Sequence, residues 1–284
     1  MAVVPAEEAG ELPVLVIEPT GGWRALDIRE MWAYRDLFKA LVIRDTKLRY
    51  RQTALGAAWV LLQPLLGAGA LTLVFGTVAK LPSGGVPYFL LSLAGTSAWG
   101  FFSGLLTRSS GSLVANASLI TKVFFPRALV PVSALGSSLI DVSASLALVI
   151  AVASASGHGP GLSLALLPAW LVLLAVLALG PGLLFSALTV TYRDVGIVMP
   201  FAVQMLLYTS PVAYTLSVVP SHIRTFYELN PLVAPLEGIR ACLLGLHYSV
   251  PATSLVSSLL FAALFVFVGA AVFRRFERRF ADVI

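Results

Sequence analysis

The chain has 284 residues, of which 58% are hydrophobic and 12% charged, and its mean hydropathy is +0.90. Soluble domains carry roughly a quarter charged residues, so this composition excludes a soluble globular protein and describes a multi-span membrane protein. The formal charge of +5 and the pI near 9.6 come from basic residues beside apolar runs, which fits membrane orientation and not nucleic-acid binding.

A single cysteine, Cys242, excludes an internal disulfide and any multi-cysteine metal site, and His158, His222 and His247 show no ligand spacing. None of the lysines (Lys39, Lys47, Lys80, Lys122) follows a glycine, so the phosphate-binding GxxxxGK[ST] loop cannot occur. The acids are isolated, and one carboxylate cannot form an acid/base pair. The chain is therefore read as having no catalytic residues, metal or cofactor of its own.

Residues 1–30 do not resemble a cleaved signal, because Glu7, Glu8 and Glu11 precede a short apolar stretch, Leu12 to Ile17. They are expected to be a cytoplasmic, partly disordered lead-in. Over 31–52, Leu37, Phe38, Leu41, Val42 and Leu48 recur at helical spacing among Arg35, Lys39, Arg44, Lys47, Arg49 and Arg51. That pattern predicts an amphipathic helix lying in the plane of the headgroups.

Residues 53–274 hold six runs of about 20 or more mostly apolar residues, enough to cross the hydrocarbon: roughly 54–79, 87–107, 128–153, 164–190, 197–219 and 252–273. The joins at 80–86 and 154–163 are Gly/Pro/Ser turns too short for a domain. The fold class is all-α integral membrane, with six transmembrane helices, the amphipathic interface helix and an outer re-entrant hairpin. Six spans place both ends on one side. That side collects every Lys and Arg except Lys80, Arg224 and Arg240, including the basic tail 275–284. Both termini are thus expected in the cytoplasm.

Between the second and third spans, Leu113 to Phe125 could form a short helix ended by Pro126, with Lys122 and Arg127 toward water. Around Asn230-Pro231, within about 222–246, two apolar pieces too short to cross suggest a re-entrant helix, turn, helix at the mouth of a path, since irregular backbone at depth must be buried or line a wet cavity. Glu228, Glu237 and Arg240 would pair there or gate the mouth. Asp141 stands in the middle of a span, at a cost of about 2.5–3.5 kcal/mol, and should face the bundle interior or a wet cavity near Ser137, Ser138, Ser143 or Ser145. It could serve the path or be a hydrogen-bonded structural carboxylate.

Asp194 could cap the fifth span while Arg193 anchors at the inner headgroups. Gly100 and Gly104 form a weak GxxxG packing signal. Aromatics including Trp99, Phe101, Phe102, Tyr208 and Tyr214 could form an interfacial belt or flat surfaces along which sugar rings slide.

The runs RDTKLRYRQTALGAAWVLLQPL (44–65), LITKVFFPR (119–127), YRDV (192–195), TSPVAY (209–214) and NPL (230–232) resemble the membrane permeases of ABC-type polysaccharide and polyol-phosphate exporters. The resemblance covers about residue 23 to the end. It implies a homodimer in the bacterial cytoplasmic (inner) membrane, bound to two copies of a P-loop ATPase that uses ATP and Mg. The cargo would be a lipid-linked glycan of O-antigen, capsule or teichoic-acid type. It further implies that 113–125 is the coupling helix, with Leu119, Lys122, Phe125 and Arg127 toward the ATPase. Arg44, Lys47, Arg49, Arg51, Arg193 and Asp194 would lie at the inner interface. Trp99, Phe101, Phe102, Asp141, Tyr208 and Tyr214 would lie along the path, and Glu228, Asn230, Pro231, Glu237 and Arg240 at the outer gate. The alternatives are an ABC permease for another bulky substrate such as a drug or lipid, an ion-coupled secondary transporter, and a membrane-embedded lipid-modifying enzyme. The second lacks several intramembrane charges and the third lacks clustered Asp, Glu or His.

Overall fold

The computed structural model describes residues 28–51, 53, 55–246 and 250–277. Most of the expected lead-in and residues 278–284 of the basic tail lie outside them. Among the described residues every regular element is helical. A short helix α1 (Ile28–Ala33) leads into α2 (Arg35–Tyr50), and a turn of 3₁₀ helix at Gly56–Ala58 opens α3 (Trp59–Leu71), which continues as π-helix over Thr72–Val78. There follow α4 (Tyr88–Ala115), α5 (Ala117–Lys122), α6 (Leu129–Ala155) and α7 (Leu167–Thr191). The chain then forms α8 (Val195–Thr209), α9 (Ser221–Glu228), α10 (Val233–Leu244) and α11 (Ala252–Glu277).

Five helical stretches, built on α3, α4, α6, α7 and α11, are long and apolar enough to cross a membrane. The run expected at 197–219 is not one helix. It gives the 15-residue α8 and then irregular backbone. Pro211 is the cause: it lacks an N–H and clashes with a helical predecessor, so Ser210 goes extended at φ −112°, ψ 150°. The helix expected at 113–125 is also shorter. Leu113 is buried within α4, which runs on to Ala115, and Asn116 breaks the chain at φ −113°, ψ 23° before the six residues of α5.

The helix α4 is the post of the bundle, packed on α6 and α7, with α11 on the far side of α7 and α10 against both α4 and α7. Glycines set the closest crossings. A Cβ on Gly180 would stand 2.8 Å from the Phe265 carbonyl carbon, and one on Gly269 would strike the Gly180 carbonyl, so α7 and α11 meet backbone to backbone. Gly100 and Gly104, the GxxxG pair, do not do this: Gly100 has nothing within 4 Å, and Gly104 faces the Arg108 side chain of its own helix.

Serines of neighbouring helices satisfy two backbone carbonyls that lack a helical donor. Pro64 deprives the Val60 carbonyl of its usual donor, and Ser145 Oγ of α6 reaches it at 3.4 Å. The Pro231 carbonyl, just before the first turn of α10, is likewise met by a neighbour, with Ser258 Oγ of α11 donating at 2.6 Å. In a medium without water, a buried carbonyl left bare would cost far more than a hydroxyl on the adjacent helix.

One pole of the bundle is formed by α2, the end of α4, α5, the start of α6 and the ends of α7 and α11, sealed by Leu41, Leu113, Ile120, Leu129, Leu183 and Phe273. The opposite pole holds α9 and α10. The apolar stripe of α2 is spent mainly on the protein: Leu37, Phe38 and Leu41 join this cluster, and Val42 sits against Gly136 of α6. Ile43 and Leu48 remain exposed. Contacts advance from Gly136 to Asp141 as α2 advances from Val42 to Arg49, so the helix slants along α6.

Candidate functional site

Two charged assemblies stand at different depths of the bundle. The first surrounds Asp141, 12 residues into α6, or about 18 Å along it from Leu129. Its carboxylate pairs with Arg49 of α2 and lies 3.5 Å from Arg108 Nη1 of α4. Tyr50 Oη donates to Asp141 Oδ1 at 2.8 Å. The guanidinium groups are steadied in turn, Arg49 by Ser137 Oγ at 3.2 Å and Arg108 by Ser138 Oγ. Partial burial, followed by the bond to Asp141, pushes the Tyr50 phenol above its ordinary 10.0, so it stays a donor. Among the serines expected beside Asp141, Ser145 bonds its backbone carbonyl at 3.1 Å, while Ser143 bonds the Leu139 carbonyl instead.

This cluster forms one end of a groove of about 810 Å³ between α3, α4 and α6. Trp59, Trp99, Phe101 and Leu207 give it apolar walls, with Gln63 and Thr96 among its polar groups. Of the expected path residues, Trp99, Phe101 and Asp141 line this groove. Phe102 is buried in the core with its ring 5.5 Å from that of Trp99. Tyr208 is exposed on α8, and Tyr214 belongs to the opposite pole, where its hydroxyl lies 2.7 Å from that of Tyr227.

The second assembly holds the broken end of α8. Arg240 is wholly buried, and with its partner Glu237 it is no surface pair. Its Nη1 lies 3.0 Å from Glu237 Oε1, and its Nη2 donates to the carbonyls of Pro211 at 2.8 Å and Val212 at 3.1 Å. Nη1 also reaches the Tyr214 carbonyl at 3.3 Å, and Glu237 Oε1 accepts from the Leu216 N–H at 3.0 Å. Tyr88 Oη of α4 takes the Ala213 carbonyl at 2.5 Å. Backbone that left the helix at Pro211 thus finds its partners in one buried ion pair and one tyrosine. Gly95 lets α4 approach so closely that a Cβ there would collide with the Val212 carbonyl.

Asn230 joins both sides of the break. Its Nδ2 donates to the Thr209 carbonyl at 2.8 Å and to Ser210 Oγ at 3.1 Å, while its Oδ1 accepts from the Leu232 N–H at 2.9 Å. Glu228 is tied to Arg224 at 3.2 Å and accepts from Thr253 of α11 at 2.6 Å. The helix, turn, helix around Asn230-Pro231 is present as an exposed α9 and a fully buried α10. Burial also pushes the Tyr227 phenol up, beside Tyr214.

At the first pole, α5 ends on exposed Lys122, and exposed Val123 and Phe124, the latter 71% exposed, follow it. Leu119 and Phe125 pack inward, and Arg127 donates to the Glu277 carbonyl at the end of α11. Arg193 and Asp194 are exposed, and Asp194 makes no side-chain cap to α8. Lys47 on α2 and Arg51 just beyond its end are exposed, whereas Arg44 binds Asp45 at 2.7 Å and the Asn116 side chain. Among the described residues no group of His, Cys, Asp and Glu could hold a metal ion.

The family model for "ABC-2 type transporter" matches residues 36–244, from within α2 to the last residue of α10. The chain belongs to the ABC-2 type transporter family. This permease is 26% identical over 259 residues to the O-antigen export system permease protein RfbA of Klebsiella pneumoniae, covering 88% of this chain and 95% of that protein. It is 26% identical over 259 residues to RfbA of Myxococcus xanthus, covering 90% and 98%. It is also 27% identical over 242 residues to the polysialic acid transport protein KpsM of Escherichia coli, covering 84% and 93%. The motif runs that resembled this family now have physical content. The first supplies Arg49, Tyr50 and Pro64, the second forms α5 and buried Phe125, and TSPVAY with NPL makes the helix break and the asparagine that ties it. Sequence reasoning missed Arg108, Tyr88 and Gly95; the usable signal was that a lone carboxylate within a span must find a cation.

Proposed function

We propose that this ABC-2 permease is the membrane subunit of an exporter that carries a lipid-linked polysaccharide, of O-antigen or capsule type, across the bacterial cytoplasmic membrane. The observation that carries the reading is the extent of the likeness: the named export permeases are matched over 93–98% of their own length. The groove, with its aromatic walls beside charged groups, offers a bulky amphiphile both kinds of contact it needs.

In this reading the chain is not an enzyme, and ATP and Mg act in a separate P-loop ATPase present in two copies on a homodimer of the permease. Six passes, with the short α8 as the fifth, put both termini in the cytoplasm. The slanted α2 rests at the inner interface with lipid around Ile43 and Leu48. Helix α5, with exposed Lys122 at its end and exposed Phe124 just after it, docks on the ATPase. The mouth on the other side is the α9–α10 hairpin, in which exposed α9 moves against fixed α10. ATPase closure then shifts one subunit against the other and opens the path.

The test is affinity isolation of the tagged chain in mild detergent from its native membrane, together with surface glycan analysis of a strain lacking it. A P-loop ATPase recovered at two plus two, with loss of a surface polysaccharide and internal build-up of its lipid-linked form, is the expected result. Full surface glycan in the deletion strain would overturn the reading.

A further inference from the structure

We propose that Arg49 and Arg108 form an anion seat in the α3–α4–α6 groove for the phosphate or diphosphate ester that joins a lipid anchor to its glycan. The identity of the cargo rests on the export reading above; the seat itself rests on the geometry. The two charged assemblies of this protein differ in a way that separates structure from binding. At the helix break one arginine meets one carboxylate, with side-chain exposure of 0% and 5%. Around Asp141 two arginines meet one carboxylate, and their side chains stay 26% and 28% exposed. The cluster therefore has one formal positive charge in excess, facing a groove.

Its donors are also not used up. Arg108 Nε is buried without a hydrogen-bond partner, although it belongs to the fork that recognises phosphate oxygens in pairs. Glycine makes room for the guanidinium and leaves the groove wall bare beside it. A Cβ at Gly104 would lie 3.0 Å from both Arg108 terminal nitrogens, and at Gly100 the wall carries no side chain at all. Trp59, Trp99 and Leu207 continue the groove as an apolar surface, so an anionic headgroup at the arginines places its lipid or sugar along them. Asp141 holds the two guanidinium groups in place while the seat is empty. It also competes with the incoming anion, which weakens binding enough for the cargo to leave.

The experiment is equilibrium binding of labelled farnesyl diphosphate to the full-length chain with its ATPase partner in phosphatidylcholine nanodiscs. Farnesol and inorganic pyrophosphate serve as the neutral and the lipid-free arms. Expected are saturable binding of farnesyl diphosphate, weakened at least tenfold by Arg108→Gln and by Arg49→Gln and less by Arg108→Lys. Asp141→Asn should tighten binding severalfold, which a merely structural carboxylate would not do. Farnesol should bind without regard to Arg108. Gel filtration of each complex, with Arg108→Lys as the gentler variant, separates loss of the seat from loss of the fold. Unchanged affinity in both glutamine variants overturns the seat, as does weakening by Asp141→Asn; pyrophosphate binding as tightly as farnesyl diphosphate overturns the lipid anchor as its ligand. Surface glycan in the deletion strain separates the two ideas: its loss without arginine-dependent binding refutes only the seat, and its persistence with such binding refutes only the export reading.

Discussion

Replacing Arg240 with methionine tests the account of the helix break. Methionine matches the apolar stem but removes every donor, leaving the carbonyls of Pro211, Val212 and Tyr214 without Arg240. Glu237 would keep only the Leu216 N–H. Removing one partner of a buried pair costs about 3–5 kcal/mol, mostly because the other charge is left uncompensated. Glu237→Gln should cost a similar amount, about 3–5 kcal/mol, because its amide oxygen can still accept from Leu216 and Arg240 but leaves the buried guanidinium without a counter-charge. The double variant Glu237→Leu, Arg240→Met removes the orphaned charge and should therefore be more stable than Arg240→Met alone. Unfolding in mixed micelles by a rising fraction of dodecyl sulfate, followed by tryptophan fluorescence, measures all three. If Arg240→Met costs less than about 1 kcal/mol, or the double variant is no better than the single, the ion pair is not what holds the break.

Gly95→Ala should lower folded yield and stability by about 1–3 kcal/mol in the same titration, since its methyl meets the Val212 carbonyl. Tyr50 has a raised folded value, so its contribution is full below about pH 10 and is lost as pH rises through that raised value. Tyr50→Phe should flatten that part of the alkaline stability loss, as read in melts from pH 8 to 11. Phe124→Asp should abolish ATPase co-purification while leaving the permease fold and its gel-filtration position unchanged, because the ring is exposed. Asn116→Ala cuts the side-chain bond to Arg44 and should leave the ATPase bound but its hydrolysis poorly coupled to export, measured as glycan exported per phosphate released.

Much of the fold was legible because its determinants are local. The turn at 80–86 appears with Lys80, Gly84 and Gly85 at positive φ, and the spans follow apolar runs. The fifth apolar run outlasts its helix because hydropathy continues through Pro211 while α8 ends at Thr209. The charged assemblies were only half legible. Asp141 announced a need for cations, yet Arg49 lies 92 residues away, and nothing local distinguishes it from Arg44 or Arg51. Glu237 and Arg240 are spaced to pair on one helix, but their burial depends on a backbone break more than 20 residues earlier. The stripe on α2 shows the same limit: periodicity reports an apolar face without naming how much of it protein or lipid covers.

These placements connect the two places where the permease must act. Helix α5 hangs from α4 through Asn116, whose Nδ2 holds the Ser112 carbonyl at 2.8 Å and whose Oδ1 receives Arg44 of α2. Five residues further along α2, Arg49 reaches Asp141, so on the proposed docking a push on α5 would be delivered through a short helix to the carboxylate between the arginines. Helix α4 carries Arg108 and, 13 residues or about 20 Å earlier, Gly95 against the clamped break. The clamp is fully buried and charge-balanced, which makes it costly to open. The Asp141 cluster is part exposed and carries an excess cation, so an arriving anion can change its partners at much smaller cost. The break near Pro211 is therefore the fixed reference of the bundle, and on the proposed reading the α2–α6–α4 junction is where cargo and ATPase would both be felt.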